Sequence, residues 1–432
     1  MELKPTKPLS GFIELLPAQQ RFVDSCVAKM QEKLRVAGFE YIDLPAIERA
    51  EVLTDAEDWS ETATQMFLFQ KGDTKMGLRY DGTVGLSRFV AGNLNGLIFP
   101  ARLTQFSKRY RGERPQKGRY REFYQLDMDI LGLVGLSSNY DAEIVKLAAD
   151  IYDSIPEIVG DYVINIGSRT FWNVFVKYLN LSKQQIDSTF VLIDKKEKLS
   201  AKEFELGLVE SVGEANAKSI LAIVSKGYKN LIGKTSELDA AIAELDEFMS
   251  LLESMNVRKA KLNLSTMRGL GYYDGIVYEA MSLTYPEIGS IGGGGRYGNL
   301  VGKFSKTAVI GSGYAIGTNR MLLTALESGR IDLKKYENNV DVAVLVMGQK
   351  QVSYAMSVLA QLRVAKIVAV PYLDVDKKFK NQIEFADKIK SRFSIIIGED
   401  EVKSKSLTVK NMSTGEQEKM TIKESVKIIK NG

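Results

Sequence analysis

Ser107-Lys-Arg-Tyr-Arg-Gly-Glu-Arg-Pro-Gln-Lys-Gly-Arg-Tyr-Arg-Glu-Phe-Tyr-Gln-Leu-Asp-Met-Asp-Ile-Leu-Gly132 is the stretch on which the fold turns. Pro115 to Gly118 read as a hairpin turn, proline and glycine each supplying a backbone angle that a turn needs. Arg109, Arg111, Arg114, Lys117, Arg119 and Arg121 gather around it. The strand that follows carries Gln125, Asp127 and Asp129 at alternate positions, and a period of two puts them on one face. A cationic loop beside a row of fixed acceptors suits a polyphosphate held next to a small cationic or hydrogen-bonding substrate. Taken alone, the same segment reads equally well as a basic surface hairpin.

The 432 residues, 45% hydrophobic and 26% charged, imply two to three folded domains rather than a disordered or fibrous chain. No uncharged apolar run reaches membrane-spanning length, and Met1 to Lys7 lead into no apolar stretch, so the expectation is a cytoplasmic protein. The one cysteine, Cys26, excludes an internal disulfide and sits among apolar residues at helical spacing, where it reads as core. The net charge of +4 permits nucleic-acid binding without arguing for it. Histidine is absent altogether. That removes the commonest general base and metal ligand, leaving arginine, lysine, carboxylates, tyrosine and Mg²⁺ to do any chemistry. Phosphoryl or nucleotidyl transfer fits, since it runs mainly on positioning and charge neutralisation.

Outward from the hairpin, periodicity predicts an α+β fold on a largely antiparallel sheet. Strands are expected at Phe39 to Leu44, Lys75 to Tyr80, Arg102 to Arg109, Glu122 to Ile130 and Tyr162 to Ile166. Helices are expected over residues 17 to 37, Val84 to Asn93 and Tyr140 to Ser154. From Phe171 to Ser254 strands give way to helical spacing, as in Ile242, Leu245, Phe248, Met249 and Leu252. Strand character returns at Lys261 to Leu264, Gly275 to Met281 and Ala308 to Ile316, with a glycine-rich turn expected over Gly289 to Gly298. Past a linker at Gly329 to Asn339, three apolar strands alternate with helices, which predicts a small α/β domain with parallel crossovers.

Three further constellations carry chemistry. Gly293-Gly-Gly-Arg-Tyr-Gly298 has dinucleotide-fingerprint spacing, but Pro286 and Gly289 interrupt the segment before it, so a βαβ nucleotide site is rejected. Arg320 opens a helix after a strand, where backbone amides add to its charge; a solvated first-turn arginine is the plainer reading. Arg268 lies in an uncharged stretch, Met267 to Tyr273, where burial would demand an anionic partner.

In that order these pieces resemble the class II aminoacyl-tRNA synthetases of the histidyl family. Arg111 to Arg121 is similar to motif 2, Gly317-Thr-Asn-Arg320 to motif 3, and the helix through Arg35 with Pro45 to motif 1 at a homodimer interface. Arg268 to Tyr273 and Gly294 to Tyr297 resemble the two histidine signatures, and Ile396 to Glu401 with Leu407 to Lys410 resemble the anticodon-binding domain. The resemblance implies a catalytic domain over 1–168 and 259–330, a helical insertion over 169–258 and an anticodon-binding domain over 340–432.

It implies further that histidine reacts with ATP, accompanied by Mg²⁺, to give histidyl-adenylate and pyrophosphate, after which the acyl group passes to tRNA(His). By resemblance Arg111 holds the α-phosphate and the substrate carboxylate, Phe123 stacks on adenine, Glu113 joins the ATP site, Arg320 holds the γ-phosphate and Arg268 neutralises charge at the α-phosphorus. Asp81, Thr83 and Gln125 would grip the α-amino group. Asp129 and Tyr273 would bond the imidazole nitrogens, with Tyr272 and Tyr297 shaping the pocket. Arg114 and Gln116 would meet the tRNA acceptor end. Asp81 and Asp129 stand where many bacterial members carry glutamate. A catalytically dead regulatory paralogue is the rival reading; it would lack the C-terminal domain that this chain carries.

Overall fold

The structure, a computed structural model, describes residues 4–54, 64–267, 272–298, 300–337 and 340–431. The chain divides into two compact units, Met1–Asp332 and Leu333–Gly432.

In the first unit the strands are β1 (Glu40–Tyr41), β2 (Ile47–Arg49), β3 (Leu68–Lys71), β4 (Thr74–Leu78), β5 (Ala101–Tyr110), β6 (Glu122–Leu133), β7 (Tyr162–Ser168), β8 (Ala260–Leu262), β9 (Ile276–Ser282), β10 (Ser290–Tyr297) and β11 (Val309–Gly317). Eight form one sheet in the order β1-β5-β6-β11-β10-β9-β7-β8, antiparallel throughout its centre and parallel only at the two edge pairs. A smaller sheet, β2-β4-β3, stands apart. β5 and β6 pair from Ala101↔Leu131 to Tyr110↔Glu122, so the quoted stretch is a long ribbon whose loop closes through the bridge Gln116↔Arg119, with Gly118 at φ +71°.

β6 is buried on both faces from Leu126 to Gly132. Leu126, Met128 and Ile130 share one face; Gln125, Asp127 and Asp129 share the other. The helices Asn139–Asp153 and Thr318–Glu327 pack on β11 and β6, and the helix Pro17–Val36 lies against both of them. Its stripe Phe22, Val23, Cys26, Val27, Met30 and Leu34 is buried, as the spacing predicted.

Residues 290–297 do not form a turn. They form β10, an interior strand between β9 and β11. The local rule that glycine weakens strands misleads here, because the neighbours need the space. A Cβ at Gly294 would lie 1.9 Å from the Gly313 carbonyl oxygen, and one at Gly292 would lie 2.3 Å from the Tyr152 hydroxyl. Gly294→Ala is therefore expected to destabilise the first unit by about 2–3 kcal/mol, read as a lowered Tm. An unchanged Tm would show that the two strands can part.

Between β7 and β8 the chain is helical: Arg169–Tyr178, Lys183–Asp194, Ala201–Lys226 and Ser236–Ser254. All four start on a side-chain cap, with Ser168, Ser182, Ser200 and Thr235 accepting from the Phe171, Gln185, Glu203 and Leu238 amides. The helix Ser236–Ser254 packs on Asn139–Asp153.

The second unit holds β12 (Val342–Val346), β13 (Ala369–Tyr372), β14 (Phe393–Ile397), β15 (Leu407–Asn411) and β16 (Gln417–Met420), ordered β13-β12-β14-β15-β16. The first three are parallel, as expected; β15 and β16 add an antiparallel ribbon that the sequence reading did not anticipate. Burial explains the miss, since β16 exposes Gln417, Glu418 and Lys419 and buries only Met420.

Candidate functional site

Two neighbouring regions on one face of the large sheet gather the residues that the sequence singled out. The first is cationic and belongs to the β5–β6 loop. Arg111 follows β5, and its guanidinium carbon sits 4.5 Å from the Tyr80 ring centroid and 5.2 Å from that of Phe123. Its Nε donates to the Tyr80 carbonyl at 3.3 Å. A guanidinium placed over aromatic rings in this way is held while edge donors are left for an anion.

Arg320 is not the solvated first-turn charge of the plainer reading. It is partly buried, with Nε donating to the Gly118 carbonyl at 2.8 Å and Nη1 to the Ser290 carbonyl. Those two bonds tie the helix Thr318–Glu327 to the loop tip and to β10. Its acidity records its company. Desolvation pushes its pKa down to about 10, and the charges of Arg119 and Arg111 push the same way, against Glu113 and Glu279. Three guanidinium groups thus act on one another here, with Glu113 and Glu279 offsetting only part of their charge, the electrostatic form of an anion site. Arg119 also pairs with Glu113 at 3.2 Å. Asn319 accepts from the Tyr124 amide at 2.8 Å, fixing the helix start against β6. Arg114 and Gln116 are exposed at the tip.

The second region is a small acidic cavity lined by Thr83, Asp127, Asp129, Tyr273, Tyr297 and Tyr314 among others. Register builds it. Asp129 stands opposite Gly313 and Asp127 opposite Ala315, so small residues on β11 leave room for both acids. A Cβ at Gly313 would lie 2.0 Å from Asp129 Oδ1, and one at Gly311 would enter the Tyr297 ring. Tyr297 donates to Asp129 Oδ1 at 2.8 Å. Tyr272 donates to Asp81 Oδ2 at 3.2 Å and Thr83 Oγ1 at 3.4 Å, and its ring lies 4.6 Å from that of Tyr273. Gln125 is half-buried on the same face of β6.

Both outer acids are held away from easy ionisation. Burial raises the Asp81 pKa against the Val84 amide that donates to it at 3.2 Å. Burial first, and the charge of Asp127 next, raise Asp129 to about 8 despite the Tyr297 hydrogen bond. A pocket whose acids await a cation behaves this way.

Arg111, Phe123 and Arg320 thus lie with the cationic loop, and Asp81, Thr83, Asp129, Tyr272, Tyr273 and Tyr297 with the cavity. Arg268 lies outside the described residues. Three residues that the sequence marks only as loop cations or a strand acceptor take part as well. Arg119 is one. Arg109 and Asp127 form a buried pair, Nη2 to Oδ2, at the base of the cavity. Parity could have found Arg109, since it shares the buried face of β5 with Leu103, Gln105 and Ser107, and an inward arginine requires a carboxylate. Among the described residues no helix is long and apolar enough to cross a membrane, and no cluster of acids and cysteine stands ready as a metal site.

Comparisons with known proteins converge on one family. A family model described as histidyl-tRNA synthetase matches residues 11–321, and an anticodon binding domain matches residues 341–432. A histidine--tRNA ligase of Clostridium tetani is 37% identical over 98% of both chains. The crystal structure of a histidyl-tRNA synthetase from Nostoc sp. has 27% identity and a TM-score of 0.78 over 100% of both chains. A chain from Bacillus halodurans titled ATP phosphoribosyltransferase regulatory subunit/histidyl-tRNA synthetase is 19% identical, with a TM-score of 0.71 over 90% of this chain and 97% of its own; that likeness carries the fold alone.

Proposed function

We propose how the site works from one premise: this chain belongs to the histidyl-tRNA synthetase family and is an aminoacyl-tRNA ligase, activating histidine with ATP and passing it to tRNA. On our reading the acidic cavity takes the histidine side chain and α-ammonium, while the cationic loop takes the triphosphate. The substrate carboxylate is then held where the two regions meet, close to the α-phosphorus. The observation that supports this most is the depressed basicity of Arg320, where desolvation comes first and the neighbouring Arg119 and Arg111 charges add to it against Glu113 and Glu279.

The first step needs no protein base. A carboxylate oxygen of histidine attacks the α-phosphorus, the bond to the β-phosphate oxygen breaks, and pyrophosphate leaves with its charge. Arg111 neutralises the α-phosphate and Arg320 the γ-phosphate, with Phe123 against adenine. Arg268 acts at the α-phosphorus in this reading, which rests for that residue on the sequence resemblance. In the second step a terminal ribose hydroxyl of the tRNA attacks the acyl carbon and AMP leaves. Mg²⁺ accompanying ATP would supply charge neutralisation at the phosphates. Glu113 and Glu279, whose charges reach Arg320, are the protein carboxylates that would face it.

Asp129 accepts from an imidazole N–H, Asp81, Thr83 and Gln125 face the α-ammonium, and Tyr272, Tyr273 and Tyr297 close the pocket. Arg114 and Gln116 meet the acceptor end of tRNA(His), and residues 340–432 its anticodon. In this reading the catalytic domain comprises 1–168 and 259–330, with 169–258 an insertion and 340–432 the anticodon-binding domain, and the working protein is a cytoplasmic homodimer.

The test is histidine-dependent exchange of labelled pyrophosphate into ATP. Wild-type protein supports it, and Arg268→Ala lowers it by about 10²–10³-fold or more. Folded wild-type protein without exchange would favour a regulatory paralogue.

A further inference from the structure

We propose that Asp127 is an additional specificity-determining anchor for the α-ammonium group of the amino acid, held in place by the buried guanidinium of Arg109. This rests on the reading of the acidic cavity as the histidine pocket. Asp127 is 5% exposed and lines the cavity beside Thr83 and Asp129. Its two oxygens are treated differently. Oδ2 accepts from Arg109 Nη2, whereas Oδ1 is buried with no hydrogen-bond partner among the described residues. A buried carboxylate oxygen without a donor is costly, and in the wall of a ligand cavity the missing donor is the ligand's.

The geometry selects the ammonium over the ring. Asp127 and Arg109 pack against the Asp81–Thr83 segment so closely that a Cβ on Gly82 would lie 2.1 Å from Asp127 Oδ2 and 2.2 Å from Arg109 Nη2. That segment already faces the ammonium, whereas the ring end belongs to Asp129, two residues along β6 and bonded to Tyr297. An ammonium brings three N–H donors and needs acceptors in three directions. Asp81 Oδ1 is committed to the Val84 amide, while Asp81 Oδ2 and Thr83 Oγ1 share the Tyr272 hydroxyl. Asp127 Oδ1 supplies a further acceptor that no group among the described residues occupies.

Charge agrees with this. Asp81, Asp127 and Asp129 are all buried around a cavity to which Arg109 gives one pairing cation. Arg109 is 0% exposed and is itself fixed, with Nη1 donating to Ser107 Oγ at 2.7 Å and to the Lys108 carbonyl at 3.1 Å. It therefore positions Asp127 rather than meeting substrate.

The experiment compares calorimetric affinities for histidine and for 3-(imidazolyl)propionate, which keeps the ring and carboxylate but lacks the amino group. Wild-type protein is expected to prefer histidine. In Asp127→Asn that preference shrinks by about 10–100-fold, while affinity for the analogue stays within about threefold. Asp127→Asn leaves the Arg109 charge unpaired, so Arg109→Gln with Asp127→Asn serves as a second variant that replaces the ion pair by an amide pair. It is expected to show the same selective loss. A preference retained in either variant, or an equal loss for both ligands, overturns the proposal and leaves Asp127 a structural partner of Arg109. A wild-type protein that binds neither ligand overturns the pocket reading, and the proposal with it.

Discussion

Arg111→Lys is expected to lower kcat for histidine-dependent pyrophosphate exchange by about 10²–10³-fold, although the charge is kept. The reason lies in how Arg111 is held. Its guanidinium is fixed between the Tyr80 and Phe123 rings, and Nε is committed to the Tyr80 carbonyl. The remaining N–H groups form a fork with one orientation, suited to a phosphate oxygen whose charge grows in the transition state. An ammonium on a flexible stem cannot stack so and cannot present two parallel donors. Arg320→Ala should differ in kind. Arg320 is bonded to Gly118 and Ser290 carbonyls at the far side of the loop, where it would act on a phosphate that stays intact. Its loss should appear chiefly in the KM for ATP, as uniform binding does. The two losses should combine in the double variant, because lysine at 111 keeps the charge and the two side chains act on different phosphates. Steady-state exchange with ATP varied reads all three. Arg111→Lys within about threefold of wild type in kcat would remove Arg111 from the chemistry.

The parts of the molecule governed by local pattern were open to the sequence. The ribbon of β5 and β6, the alternation of Gln125, Asp127 and Asp129, and the helix Pro17–Val36 all follow from periods of 2.0 and 3.6. What stayed hidden depends on partners distant in the chain. Gly292 to Gly295 read as a turn because the side chains that fill their space, Tyr152, Tyr314 and Tyr273, come from other elements. Arg109 read as one more loop cation because the acid that buries it, Asp127, stands eighteen residues later. Arg320 read as solvated because its acceptors are backbone carbonyls, which no sequence pattern marks.

Asp129 ties the stability of the chain to its selectivity, and Asp129→Asn should separate the two. In the free protein burial and the neighbouring Asp127 raise this carboxyl to about 8. A carboxyl whose folded pKa lies above its unfolded value binds a proton that the unfolded chain has already released. Its contribution to stability is therefore full below the unfolded pKa, near 3.9. It is lost progressively as pH rises to about 8 and is constant beyond. Asparagine does not titrate. The variant should melt above wild type at pH 8, and the difference should shrink as pH falls toward 4. Catalysis should respond in the opposite sense. An imidazole N–H needs an ionised acceptor, so wild-type kcat/KM for histidine should climb from pH 6.5 toward 8 as Asp129 loses its proton. In Asp129→Asn the carboxylate is gone, and kcat/KM should fall by about 10²–10⁴-fold. The limb due to Asp129 should vanish, leaving only the titration of histidine itself, near 6.5. Melting curves and kcat/KM profiles on both proteins settle it. An Asp129→Asn variant that melted below wild type at pH 8 yet kept the full kinetic limb would place the titrating group elsewhere, with Asp81 the next buried acid of the cavity.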